Sequence, residues 1–189
     1  MSSSIIMADG SEFDPWTQNF GSVPIKCIAQ GLACEHRFAG QARFKYTVAQ
    51  HCVLASRHVA NGNYIGTGVE VFYGPQKVKL GALLHDASEA VLKDIPGPFK
   101  KRLKSYKSIQ NKLDKDIYVA HNIEQLLDSP IIKRIDKELL DAERAVLFRG
   151  YDDVNLRAVR IEPWDSKYAY HEFLRTYREL WTSINRVNS

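Results

Sequence analysis

The stretch LLHDASEA, residues 83–90, sets His85, Asp86 and Glu89 in a run that is otherwise apolar or small. An imidazole and two carboxylates so close together suit either an exposed charged face or a site for a divalent cation. On a helix, successive residues point about 100° apart, and residues three or four apart share a face. Glu89 follows His85 by four and Asp86 by three, so it falls angularly between them, one turn on. All three then address one point in space. Such geometry favours two metal ligands with a neighbouring carboxylate that need not bind the metal.

Two further residues bear on the choice. His51 sits beside the apolar positions Val48, Cys52 and Ala55, as a hydrogen-bonded core histidine or as a third ligand. Asp136 lies in IIKRIDKELL, with Ile132 four before it and Leu139 and Leu140 three and four after. A carboxylate bordered by those side chains is expected to be partly buried. Burial of an unpaired charge is costly, so Asp136 needs a cation, strong donors or a raised pKa. Lys133 or Arg134 would serve, and so would a divalent metal.

The elements that must carry these residues read as helices almost throughout. Residues 4–14 are expected to form two short strands around a turn at Ala8-Asp9-Gly10. Ser22 and Pro24 mark the start of a helix reaching about His36. Thr47 caps the next, whose stripe Val48, Cys52, Ala55, Val59 ends at Gly62. Residues 63–75 are glycine-rich and read as a loop. A helix is expected over 76–93 through Leu80, Leu84, Ala87 and Val91, stopped by the prolines of DIPGP, residues 94–98. Further amphipathic stripes run over 105–121, over 130–149 with Gly150 closing, and over about 165–186, where Tyr170, Phe173, Tyr177 and Trp181 read as core contacts. The expected class is all-α, a helical bundle with a short N-terminal β-hairpin.

Length and composition narrow the function. A chain of 189 residues suits one domain, here an arm over 1–20 and a helical core over 22–186. Net charge is +4, compatible with anionic substrates and too small to argue for nucleic acid, even with the basic run KKRLKSYK at 100–107. Three cysteines, Cys27, Cys34 and Cys52, without CxxC spacing argue against a disulfide framework or a zinc ribbon and fit a reducing compartment. No run approaches the roughly 20 apolar residues of a membrane span, and the N-terminal segment lacks the basic and apolar regions of a secretory signal. A soluble cytoplasmic protein is expected.

The order His51, then His85-Asp86, then Asp136, separated by 34 and 50 residues, resembles the H…HD…D signature of HD-domain metal-dependent phosphohydrolases. HDASEAVLKDIPGPFK, residues 85–100, resembles the HDASE…GD(I/L)P.P.K segment of the small 5′-deoxynucleotidases and related bacterial and phage enzymes. RFAGQARFKYTVAQHCVLASR, residues 37–57, is similar to their CRFNG…FYSVAEHS segment, and IDKELLDAE, residues 135–143, to AD..LL..E. Gln50 stands where glutamate is usual, and Lys93 where glycine is usual; neither change removes a ligand.

The resemblance implies an HD-domain helical bundle that holds one divalent metal through His51, His85, Asp86 and Asp136. Two imidazoles and two carboxylates suit Mn²⁺, Co²⁺, Ni²⁺, Fe²⁺ or Zn²⁺, with Mg²⁺ also admissible. A second, substrate-borne cation fits a polyphosphate substrate. Glu89 is placed like the family's general acid/base. Asp94 is either a second acid near the site or a helix-end cap. Arg37 and Lys100 are placed to meet phosphate, and Phe38 to flank a base or fill the core. The implied substrate is a deoxynucleotide: a dNTP, dATP among them, losing triphosphate, or a dNMP losing phosphate. The resemblance also implies a homo-oligomer. A non-catalytic nucleotide sensor on the same fold is the competing class.

Overall fold

The computed structural model describes residues 4–60, 69–151 and 159–187. The expected hairpin forms. Strand β1 (Ile5–Ile6) pairs antiparallel with β2 (Glu12–Phe13), Ile5 opposite Phe13 and Ile6 opposite Glu12. Gly10 takes the turn at φ +84°, where a side chain would be strained, and the Asp9 carboxylate accepts from the Ser11 amide and hydroxyl. Phe13 is buried and meets Phe20 at 5.5 Å between ring centroids, which ties the hairpin to the core.

Helices make up the rest, so the class is all-α with that hairpin at the N-terminus. They are α1 (Ile25–Cys34), α2 (Val48–Ala60), α3 (Val69–Leu84), α4 (Glu89–Leu92), α5 (Gly97–Lys100), α6 (Lys104–Ala120), α7 (Pro130–Arg149) and α8 (Ser166–Val187). Thr47 caps α2 as expected, its hydroxyl accepting from the Gln50 amide at 3.1 Å. Ser129 caps α7 in the same way, Pro130 fills the first turn where no N–H is needed, and Gly150 ends the helix left-handed at φ +72°. The apolar stripes are buried: Val48, Cys52 and Ala55 on α2, Ile109 and Leu113 on α6, Ile135 and Leu139 on α7, Phe173 and Ile184 on α8. Helix α8 lies across α1, α2 and α3, and α2 packs against α1, α3 and α7. The middle of α2 therefore faces α7 and the end of α3. Among the described residues no helix is long and apolar enough to cross a membrane.

Three local expectations need correction. The first helix begins at Ile25 with Pro24 as its cap, and Ser22 ends a separate short turn, Phe20–Ser22. Part of the loop expected over 63–75 is helical: α3 starts at Val69 and is broken at Gly74 (φ +71°) before Pro75, while residues 63–68 lie outside the described residues. The helix expected over 76–93 is not continuous. It stops at Leu84, and residues 85–88 form a tightened turn with bonds to the third residue back, Ala87 N–H to Leu84 O and Glu89 N–H to Asp86 O. Apolar spacing alone does not see this, because Ala87 and Val91 stay on the buried side across the break.

Helix α4 is seated by a close approach to α1. A Cβ on Gly31 would stand 2.6 Å from the Ala90 carbonyl oxygen and 2.9 Å from the Ala90 Cβ. Gly31→Ala is expected to cost about 1–3 kcal/mol, as overpacking against backbone does. Thermal unfolding followed by circular dichroism checks it; an unchanged midpoint would remove this contact as what seats the segment carrying Glu89.

Candidate metal centre

Four side chains from α2, the turn after α3, and α7 converge. His51 Nε2 stands 3.2 Å from His85 Nε2 and 3.6 Å from Asp86 Oδ2. Asp136 Oδ1 is 3.3 Å from His51 Nε2 and 3.8 Å from His85 Nε2, and Asp86 Oδ2 is 3.2 Å from His85 Nε2. Donors about 2.1 Å from one ion stand about 3.0 Å apart at right angles and about 3.4 Å apart in a tetrahedron. The observed spacings are compatible with a divalent ion held between these groups. His51, His85 and Asp86 alone already offer three ligand atoms within 4.8 Å of one another.

Tautomers sharpen the reading. His51 Nδ1 lies 2.5 Å from Glu143 Oε1, and His85 Nδ1 lies 2.8 Å from the Ala82 carbonyl oxygen. Both partners are acceptors, so each Nδ1 carries a proton and donates it. Neutral rings would then turn two Nε2 lone pairs toward each other and toward two carboxylates. Only positive charge at that point relieves the repulsion: extra protons or a cation. The surroundings favour either. Burial works against charging His51 and His85, but Glu143 and Asp136 outweigh it at His51, and Asp86 with Asp136 outweighs it at His85, so both pKa values are raised. Asp86 and Asp136 are lowered despite burial, because the imidazoles face them.

A buried brace holds His51. Glu143 is fully buried; its Oε1 also accepts from the Tyr46 hydroxyl at 2.8 Å, and Arg37 Nη2 stands 3.2 Å from its Oε2. Burial pushes the Glu143 carboxyl up, yet Arg37 and His51 hold it below its ordinary value. Arg37 Nη1 reaches Asp86 Oδ2 at 3.3 Å. One guanidinium thus links Asp86 to the carboxylate that orients His51, the kind of outer contact that would fix the geometry of a metal site. The segment bearing Arg37 is folded back on α2 through Arg37 N–H to Tyr46 O and Val48 N–H to Glu35 O. Phe38 and Ala39 take left-handed backbone there, φ +58° and +51°, a strained conformation for such residues.

An open cavity of about 380 Å³ adjoins the centre; Arg37, Phe38, Asp86, Glu89, Asp94, Lys100, Asp136 and Arg144 are among the residues that line it. Glu89 is buried, and the Lys100 ammonium donates to its Oε1 at 2.6 Å. Burial and the Asp86 charge push the Glu89 carboxyl up to about 8 against that ammonium. Asp94 Oδ2 accepts from the Phe38 amide at 3.2 Å. Lys93, before it, takes φ +73°, which explains why glycine is the easier residue there; its ammonium pairs with Glu35 at 2.8 Å. Gln50, the other departure, is buried and donates to the Glu162 carbonyl at 2.7 Å, where a carboxylate would set one acceptor against another.

The candidate site residues named from the sequence, from Arg37 to Asp136, therefore lie at the centre or line the adjoining cavity, while Lys133 pairs with Asp128 and Arg134 with Glu138, and the partners of others differ from expectation. Arg37 is occupied by carboxylates, and Lys100 by Glu89. Sequence reasoning missed Glu143 and Tyr46 as supports. Glu143 was legible in principle, seven residues after Asp136 and so on the same face of α7. It also missed a second cavity on the other side of Asp136.

No family model matches the chain. Two curated relatives do. An "Uncharacterized protein YfdR" of Escherichia coli (strain K12) is 31% identical over 172 residues, 86% of this chain and 86% of that protein. An uncharacterized protein of Rhodobacter capsulatus is 31% identical over 176 residues, 83% of this chain and 86% of its own length.

Glu143→Gln is expected to weaken Co²⁺ or Mn²⁺ binding about 10–100-fold, the usual effect of losing such an orienting group. Competition with a chelator measures it, with helix content as a folding control. In the native chain, metal affinity is expected to fall from pH 8 to pH 6, since His51 and His85 have raised pKa values and must release protons to bind. A flat profile would contradict the ligand assignment.

Proposed function

We propose that this chain, which belongs to the family of Escherichia coli YfdR and its Rhodobacter capsulatus relative, is a metal-dependent phosphohydrolase of deoxynucleotides. The reaction is release of triphosphate from a dNTP, dATP among them, or of phosphate from a dNMP. One observation carries this reading: two imidazole Nε2 atoms with their Nδ1 protons already donated, and two carboxylates, all aimed at one point beside a cavity that holds a raised-pKa carboxyl. His51, His85, Asp86 and Asp136 would hold the ion. When bound it supplies Lewis-acid polarisation of a phosphoryl oxygen and acidifies water.

The chain's own groups do the remainder. Glu89, with a pKa about 8, holds or gives up a proton near neutrality, as a general acid/base must. Lys100 keeps the Glu89 carboxyl in one rotamer by its 2.6 Å bond and adds positive charge for phosphate. Asp94, which lines the cavity, accepts from the Phe38 amide and so holds that segment at the site. Arg37, engaged at both terminal nitrogens, acts on phosphate as a nearby charge and on Asp86 as a brace. A nucleotide sensor on the same scaffold has no need of a buried acid poised near neutral pH.

The test is a screen of dAMP and dATP against Mn²⁺, Co²⁺ and Mg²⁺, with products separated. Nucleoside plus triphosphate, or nucleoside plus phosphate, is expected, and removal of the metal abolishes both. Glu89→Gln is expected to keep the metal and lose about 10²–10⁴ in kcat. Native-like turnover in that variant removes Glu89 from the chemistry, and no turnover of any nucleotide by the native chain rejects the enzyme reading in favour of a sensor.

A further inference from the structure

We propose that Arg144 reads the length of the substrate's phosphate chain: it binds the distal phosphates of a deoxynucleoside triphosphate whose first phosphate sits at the four ligands. This rests on the phosphohydrolase reading and selects the triphosphate within it. Three cations line the cavity beside the metal centre, Arg37, Lys100 and Arg144. Two are already engaged. Arg37 places one terminal nitrogen 3.3 Å from Asp86 and the other 3.2 Å from Glu143, and Lys100 donates to Glu89 at 2.6 Å. Among the described residues Arg144 makes no ion pair; Asp141, three residues back, is taken by Lys137 at 2.8 Å. Arg144 is exposed, so its guanidinium fork is open to two phosphate oxygens at once.

Placement on α7 fits the same role. Asp136, Leu140 and Arg144 follow one another by four, so they form one stripe of the helix, and all three line this cavity. The stripe continues to Phe148, whose ring meets that of Phe38, another lining residue, at 5.2 Å between centroids. Eight residues of helix advance about 12 Å from Asp136 to Arg144. An arginine side chain leans back toward the helix N-terminus and shortens that gap without closing it. The guanidinium therefore stands along the cavity from the ligands and not on top of them. A lone phosphate seated at the ligands leaves that stretch empty, whereas a chain of three runs along it.

Charge makes a free cation necessary there. Asp86, Glu89, Asp94 and Asp136 also line the cavity. Asp86 and Asp136 are assigned to the ion, and Glu89 holds Lys100. A triphosphate is more negative than a monophosphate, and its outer phosphates lie farther from the ligands. They need a cation that the chain's own carboxylates have not taken, and Arg144 is the lining cation in that state. The cavity on the other side of Asp136 carries Lys115 and Lys133, of which Lys133 pairs with Asp128 at 2.8 Å. Lys115 is thus the rival for a phosphate chain that runs the opposite way.

The deciding experiment uses the full chain at a fixed concentration of free Mn²⁺. Titration calorimetry measures binding of inorganic tripolyphosphate and of orthophosphate to native protein, Arg144→Gln, Arg144→Lys and Lys115→Gln. Hydrolysis of dATP and dAMP is followed in parallel, with circular dichroism as a folding control. Arg144→Gln is expected to weaken tripolyphosphate about tenfold or more relative to orthophosphate, and to raise the KM for dATP more than it lowers kcat. Arg144→Lys is expected to recover part of the loss, since lysine keeps the charge and not the fork. No loss in Arg144→Gln, an equal loss for both anions, or a loss that appears in Lys115→Gln instead overturns the assignment. So does a native preference for dAMP over dATP. Each of these leaves the phosphohydrolase chemistry standing as long as a nucleotide is hydrolysed. Tripolyphosphate held through Arg144 with neither nucleotide hydrolysed rejects that chemistry instead and keeps the polyphosphate contact.

Discussion

Four acceptors aimed at one point repel one another unless positive charge lies between them, and the rest of the site is organised around that constraint. The two imidazoles cannot turn away, because each Nδ1 is anchored, one to Glu143 and one to the Ala82 carbonyl. Asp86 cannot swing out freely either, since Arg37 ties it to Glu143. Preorganised repulsion of this kind stores affinity for a cation, because the cost of bringing the ligands together is met by folding rather than at binding.

The supporting structure is strained where it meets the site. The turn at residues 85–88 tightens the helical path and sends His85 and Asp86 to the ligand cluster while Glu89 begins a new short helix facing Lys100. Phe38 and Ala39 sit left-handed beside Arg37, and Lys93 sits at φ +73° before Asp94. These conformations persist because neighbours over-determine them: Asp94 takes the Phe38 amide, the Phe38 ring packs edge-on to Phe148 at 5.2 Å, and Glu35 takes the Lys93 ammonium. The bundle behind them, with α2 between α1, α3 and α7, is regular and apolar, and it carries the stability that lets the site depart from ideal geometry.

Immediate neighbours separate the ionisation of otherwise similar acids. Glu89 and Asp114 are both carboxyls raised mainly by burial, to about 8 and about 7. Glu89 takes the Lys100 ammonium on one oxygen, and Asp114 lies beside the Ser88 hydroxyl; both line cavities of mixed charge. Asp86 and Asp136, next to the imidazoles, are lowered instead. Environment, not residue type, sets the ionisation of these four carboxyls apart.

The sequence by itself determined the helical class, the hairpin, the stripes of α2, α6, α7 and α8, and the set His51, His85, Asp86 and Asp136, because periodicity and motif order are properties of the chain read locally. It showed Glu143 only as the last letter of a motif, although its spacing from Asp136 pointed inward. It misread residues 76–93 as one helix, since a turn that keeps the apolar side buried leaves the hydrophobic pattern intact. What Arg37 and Lys100 touch, which Nδ1 carries the proton, and where Asp114 stands were decided by tertiary structure alone. Those outcomes depend on which charges burial brings within a few ångströms of one another, and residues 49 apart, such as Arg37 and Asp86, carry no local trace of that meeting.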